Sequence, residues 1–187
     1  MVGLPGSGKS TLAGSVAEKN GIAIIRVGRF GQRRLYARLF AICHSELYRA
    51  LRRIAVEQSG TNEHLTRINE HRLASAAAKV QKARLLGRGV VDEGVLQFLL
   101  GVYERPARVE ELETVLLMIP AAGLRICFVQ ANEATRLARM QARNKVPRAE
   151  LGSAYQASWQ AAQTANVALL HRLCASRFDC VTIDNSG

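Results

Sequence analysis

An α/β fold, with helices on both faces of a mostly parallel sheet, is what this sequence predicts. Three observations carry it. Short apolar runs alternate with long helical patterns, the runs are β-branched and nearly uncharged, and a glycine-rich turn leads straight into the first helix. Strands covered on both faces lose the polar alternation of a solvated sheet. With 187 residues, 48% of them hydrophobic, the chain can bury one sizeable core. No linker rich in Pro, Gly or Ser divides it, so residues 1–187 are read as a single domain, incomplete at both ends.

The elements follow in order. Residues 3–11 read Gly-Leu-Pro-Gly-Ser-Gly-Lys-Ser-Thr, and only Met1 and Val2 of a first strand precede them. The helix beginning at Lys9 has an apolar face at Leu12, Ala13 and Val16 and a stop at Asn20-Gly21. Residues 22–27, between Gly21 and Gly28, read as a strand. One long helical pattern over 32–58 ends at Ser59-Gly60. Asn62 caps the next helix, which reaches Leu86 with Gly87 as its stop. Gly89-Val90-Val91-Asp92 is a short strand. The following helix, 109–118, halts before Pro120, and 124–130 is a strand in which only Arg125 is charged. Asn132 caps a helix through about residue 143, Pro147 interrupts, residues 149–175 are helical, and 178–183 form the last strand.

The loop at 3–11 fills the pattern Gly-x-x-x-x-Gly-Lys-Ser, whose spacing has a chemical reason. Gly3, Gly6 and Gly8 let the backbone turn tightly and aim its N–H groups at phosphate oxygens, with Leu4, Pro5, Ser7 and Thr11 completing the cradle. Lys9 reaches the outer phosphates and the Ser10 hydroxyl ligates a metal. The partly positive start of the helix faces the same anion. The expected ligand is a nucleoside triphosphate, ATP, with Mg2+.

Such a loop needs an acidic partner at the tip of a neighbouring strand. Asp92 is the only one of three aspartates that ends a mid-chain apolar strand, and it is the second expected Mg2+ ligand; a turn acid before Gly94 is the plain alternative. Glu93 is a base or a solvated neighbour. Arg136, Arg139 and Arg143 recur at offsets of three and four, on one side of a helix, with Arg148 beyond Lys145. Guanidinium forks of this kind stabilise charge on a phosphoryl group in transfer, whereas a solvated helix face is the ordinary alternative.

Charge and cysteine usage add bounds. The net charge is +11, from 21 arginines and five lysines against 15 acids. Phosphate contacts, a nucleic-acid face and an arginine-favouring genome all produce such a total, so position informs more than the sum. Cys43, Cys127, Cys174 and Cys180 form no Cys-x-x-Cys pair and no zinc spacing, and read as buried, reduced thiols. No apolar run is long enough to span a membrane and no leader pattern opens the chain, so a soluble, cytoplasmic protein is expected.

The loop from Val2 to Thr11, the strand-end Asp92-Glu93-Gly94 and the Arg139-x-x-x-Arg143 pair together resemble the nucleoside and nucleotide kinase branch of P-loop proteins, whose familiar members are adenylate and thymidylate kinases. The resemblance implies a three-layer P-loop NTPase fold with a five-stranded parallel sheet in the order 2-3-1-4-5, its first strand truncated here. It also implies that Lys9 bridges phosphates, that Ser10 binds magnesium, and that Arg139 and Arg143 are lid arginines. The sequence departs from the family at the third strand, where Asp-Gly-Phe-Pro-Arg or Asp-Arg is replaced by Asp92-Glu93-Gly94-Val95-Leu96-Gln97.

The implied activity is transfer of the γ-phosphate of ATP to a small acceptor, anionic or neutral: a nucleotide, a nucleoside or another metabolite. Arg29, Arg33 or Arg34 is an expected anion contact, and the remaining arginines of 38–53 read as solvated charges. His64 and His71 line the acceptor cleft or face solvent, and Trp159 belongs to the core. A regulatory or mechanical ATPase is the alternative, because Asp92-Glu93 also suits water activation. A basic nucleic-acid binder or polynucleotide kinase is disfavoured by the 5% aromatic content. A GTPase is excluded because Asn144-Lys145-Val146-Pro147 lacks the guanine-reading aspartate. A fuller reading frame is expected to supply an apolar run upstream of Met1.

Overall fold

In the computed structural model, which describes residues 1–28, 30–143 and 147–186, helices surround a small parallel sheet. Helix α1 (Lys9–Lys19) rises directly from the glycine loop, and Leu12 N–H closes its first turn on the Gly8 carbonyl at 3.0 Å. No acid occupies its first turn. Asn20 and Gly21 end it as expected.

Two helices, α2 (Phe30–Cys43) and α3 (Ser45–Ser59), replace the single one expected over 32–58. They part at His44, whose ψ of 51° lies outside the helical region. No glycine or proline marks this bend. Packing sets it, with the ring of buried Phe40 4.9 Å from that of His44 and 6.4 Å from that of Tyr48.

Helix α4 (Glu63–Leu86) has both expected ends. Asn62 Oδ1 accepts from Leu65 N–H at 3.1 Å, and Gly87 closes the helix in the left-handed region. Helix α5 (Val95–Val102) has no counterpart in the sequence reading: all eight residues are buried, so it lacks the polar face that gives a helix its period. Helix α6 (Val109–Met118) has its expected bounds. Strand β1 (Arg125–Gln130) leads to α7 (Glu133–Ala142), where Asn132 Oδ1 accepts from Thr135 N–H at 2.8 Å. A single 3-10 turn at residues 149–151, helix α8 (Ser153–Ala175) and strand β2 (Asp179–Asp184) complete the described elements.

The sheet corrects one expectation. Among the described residues only β1 and β2 form a ladder, parallel and in register from Arg125 opposite Asp179 to Gln130 opposite Asp184. The three other expected strands are reduced to isolated contacts. Val2 bridges Phe128, Ile24 bridges Val90, and the Met1 nitrogen donates to the Val91 carbonyl at 2.6 Å. On the first-strand side of the segment at 89–91 the described contact comes from Met1. A groove of about 770 Å³, lined by Val90, Val95, Ile126 and Cys127 among others, runs beside it.

The main core joins α3, α4, α5, α6 and α8 around Leu51, Ile54, Leu73, Leu99, Leu112 and Leu170, with Ile126 and Phe128 of β1 against it. A smaller cluster of Ala13, Ala17 and Val90 seats α1. Trp159 is buried as expected. Of the four thiols expected inside, only Cys174 is fully buried; Cys43 is exposed, and all four are free. No described helix is long and apolar enough to cross a membrane.

Candidate active site

The glycine loop hangs between Val2, pinned to β1, and the start of α1. Gly6 and Gly8 have φ of 80° and 87°, a region that costs an ordinary residue steric energy. Space excludes side chains as well: a Cβ on Gly6 would lie 2.5 Å from the Arg136 carbonyl, and one on Gly8 would meet the Asn185 amide. The loop therefore closes tightly against α7 on one side and the residues after β2 on the other. From the far side, buried Gln97 of α5 accepts the Gly3 N–H at 3.0 Å. Ser7 N–H donates to the Leu4 carbonyl at 3.2 Å, while the buried Ser7 hydroxyl has no partner.

Lys9 folds back over its own loop, its Nζ donating to the carbonyls of Gly3 at 2.9 Å and Leu4 at 3.0 Å. Burial lowers its pKa from 10.5 to about 8; Arg136 and Arg72 add to the depression, and Glu93 and Asp92 oppose it. The amine is thus a cation held by weak neutral acceptors in a partly dry loop. An anion would be a better partner. Ser10 and Thr11 stand exposed at the first turn of α1.

Asp92 lies close enough for its charge to reach Lys9, but its direct partner is Lys79 of α4, at 2.9 Å from Oδ1. Lys79 also stands 3.5 Å from Glu93, whose side chain is mostly exposed. The donors available to a metal are hard oxygens, the Ser10 hydroxyl and the Asp92 carboxylate, the kind that Mg2+ takes while keeping most of its waters. Among the described residues no cluster of three His, Cys, Asp or Glu side chains forms a metal cage.

The arginines of α7 divide. Arg136 Nε donates to the Pro5 carbonyl at 3.2 Å, and burial lowers its pKa. Arg139 Nη1 donates to the Asn185 carbonyl at 2.9 Å and lies 3.3 Å from where a Gly8 Cβ would stand. Asn185 in turn donates through Nδ2 to the Ser7 carbonyl at 2.9 Å. Arg143 lies exposed at the end of α7. Arg148 is buried elsewhere, 2.5 Å from Glu104, which also accepts from the Tyr155 hydroxyl at 2.7 Å.

Of the expected acceptor contacts, Arg29 lies outside the described residues, as do Asn144, Lys145 and Val146. Arg33 and Arg34 stack on the exposed Phe30 ring at 5.3 and 5.1 Å, and Arg33 hydrogen-bonds His71 at 2.7 Å. His64 is exposed. Gln97, Lys79, Arg72 and Asn185 are site neighbours that sequence reasoning missed. Gln97 had a signal, as the only polar side chain in an apolar run.

Comparison with known proteins bears on the family and the fold. Residues 1–165 match the AAA domain family. The chain is similar in structure to deoxyadenosine kinase from M. mycoides with bound dATP, with a TM-score of 0.54 and 13% identity. The same enzyme with products dCMP and a flexible dCDP bound gives 0.56 and 14%. Both alignments cover 98% of this chain and 88% of the other. None of the curated proteins is significantly similar. The fold is shared at an identity too low to carry the substrate across. The family match spans most of the sequence and includes the glycine loop, and the chain therefore belongs to the AAA domain family, among the P-loop proteins of nucleoside and nucleotide kinase-like fold.

Proposed function

We propose that this chain is an ATP-dependent phosphotransferase of the cytoplasm, moving the γ-phosphoryl group to a small acceptor. The observation that carries the reading is Lys9, a cation whose hydrogen-bond partners are two carbonyls of the glycine loop. A triphosphate in the loop would take over those bonds. The orphaned Ser7 hydroxyl and the acid-free first turn of α1 favour the same ligand.

Catalysis by these residues is positioning and charge neutralisation. Loop N–H groups and Lys9 hold the phosphate chain. Arg139, tied to Asn185 beside Gly8, and Arg136, tied to Pro5, bring guanidinium charge to the loop's rim. Arg143 joins them as a lid arginine in this reading. Ser10 and Asp92 would hold Mg2+, which supplies further positive charge at the phosphate oxygens. The sheet order 2-3-1-4-5 is the arrangement we infer behind the loop, supported by the contacts linking Ile24 to Val90, Met1 to Val91 and Val2 to Phe128.

The test is ADP release with ATP and Mg2+, with and without a panel of nucleosides, nucleotides, sugars and sugar phosphates. Acceptor-dependent release that Lys9→Ala abolishes is expected. Equal release with and without every acceptor would instead mark a plain ATPase.

A further inference from the structure

Carbonyls of the glycine loop are held from several directions. Those of Gly3 and Leu4 take the Lys9 amine, that of Pro5 takes Arg136 Nε at 3.2 Å, and that of Ser7 takes Asn185 Nδ2 at 2.9 Å. An incoming triphosphate would draw Lys9 away. Asn185 is the uncharged member of this set, and its bond to the loop is one that an anion has no reason to break.

The peptide plane converts that bond into a direction for a donor. The Ser7–Gly8 peptide is trans, so its C=O and N–H point opposite ways. With the Ser7 carbonyl drawn to Asn185, the Gly8 N–H is turned away from Asn185, and it is one of the N–H groups such a loop offers to phosphate. Gly8 has φ of 87° and no side chain to hold it, so without an outside partner this plane would turn easily. A carbonyl oxygen only accepts, which assigns the amide nitrogen of Asn185, not its oxygen, to the contact. The approach is close: a Cβ on Gly8 would meet Nδ2 itself.

Asn185 is in turn anchored. Its N–H donates to the Gln130 carbonyl at 2.8 Å, at the end of the β1–β2 ladder, and its carbonyl accepts Arg139 Nη1 at 2.9 Å. The next residue, Ser186, accepts the Asn132 N–H through Oγ at 2.9 Å and the Thr135 hydroxyl through its carbonyl at 3.2 Å. The side chain therefore starts from backbone tied to both β1 and α7.

We propose that Asn185 is a positioning residue that orients the Gly8 N–H toward the phosphates of the nucleotide. The inference rests on the nucleotide-binding half of the phosphotransferase reading. Asn185 acts through the loop backbone, so it serves the phosphate chain rather than the base or the acceptor. A donor that already faces the anion need not be turned on binding, and affinity rises accordingly. The contact is the same before and during transfer, so KM for ATP responds to it and kcat does not.

Variants of the full chain separate a donor from a filler of space. Leucine has nearly the size of asparagine but donates nothing, and alanine lacks both bulk and donor. Calorimetric titration of tripolyphosphate with Mg2+ is expected to show binding weakened about tenfold in Asn185→Leu and in Asn185→Ala alike, with the same factor for ATP. In ADP release the KM for ATP should rise to match, while kcat stays within about twofold. Should leucine prevent folding, seen as loss of the thermal transition, Asn185→Ser against Asn185→Ala replaces the comparison. These are alike in size and differ in the donor, and serine is expected to bind tighter.

Wild-type affinity in Asn185→Leu with a loss confined to Asn185→Ala would make the side chain a filler and overturn the proposal. A loss for ATP that tripolyphosphate does not share would assign Asn185 to the base, and a fall in kcat with KM unchanged would assign it to the transfer step; either overturns it. So does failure of the wild type to bind tripolyphosphate. Failure of the phosphotransferase reading would appear separately, as acceptor-independent ADP release with tripolyphosphate binding intact.

Discussion

Lys79 Nζ lies 2.9 Å from Oδ1 of Asp92, so the acid proposed to organise magnesium is already ion-paired. Lysine and metal compete for one carboxylate. Lys79→Met is expected to lower the Mg2+ concentration for half-maximal binding of a fluorescent ATP analogue about three- to tenfold, the scale of one partly exposed ion pair. A midpoint that stays put or rises would mean that Asp92 is not the metal-side acid.

Lys9 gives two opposite pH trends. In the unfolded chain its amine keeps its proton to about 10.5, but in the folded protein only to about 8. Between those values the unfolded state binds more protons, so the nucleotide-free protein should gain stability as pH rises through the window. Below 8 the penalty is fully present. Nucleotide prefers the charged amine, so its affinity should fall above pH 8, by up to about tenfold per unit. Calorimetry near pH 8.5 in two buffers of different ionisation heat should show proton uptake on binding. No uptake would mean that Lys9 never meets the phosphates.

Arg139 should act on the reaction more than on binding. Arg139→Ala is expected to lower turnover about a hundredfold while nucleotide affinity changes only a few-fold, as for a group that meets charge developing in transfer. Arg143→Ala tests the other lid assignment by the same comparison. Should affinity fall with turnover intact, the arginine serves ground-state binding.

Arg148 is 4% exposed and its carboxylate partner Glu104 13%. Glu104→Gln should therefore leave a buried cation uncompensated and cost about 3 kcal/mol, roughly a 10 °C fall in Tm for a chain of this size. Thermal unfolding reads it directly. A loss under about 1 kcal/mol would show that the Trp159 ring, 5.7 Å from the Arg148 guanidinium, stabilises the charge by itself.

Local chemistry made much of this molecule legible. Asn62, Gly87 and Asn132 cap helices where their side chains or their φ predict, and 109–118 shows its helical period in full. The misses share one physical cause. At His44, in α5 and along 89–91, tertiary packing decides the conformation, and neither composition nor period records it. The site divides in the same way. The loop is written contiguously, so Gly3 to Thr11 could be read directly. Arg72 and Lys79 of α4, Gln97 of α5 and Asn185 after β2 reach it from three distant places, and only Gln97, polar among apolar neighbours, stood out.

The bond from Asn185 to the Ser7 carbonyl spans 178 positions of the chain. Contacts of such separation form late, because the loop-closure entropy between them must be overcome first. A ribosome-bound chain would carry the complete glycine motif through the synthesis of the 178 positions up to Asn185 without being able to set it against that neighbour. Competence to hold nucleotide should therefore arrive abruptly, after β2 has emerged, which would keep unfinished chains from sequestering ATP.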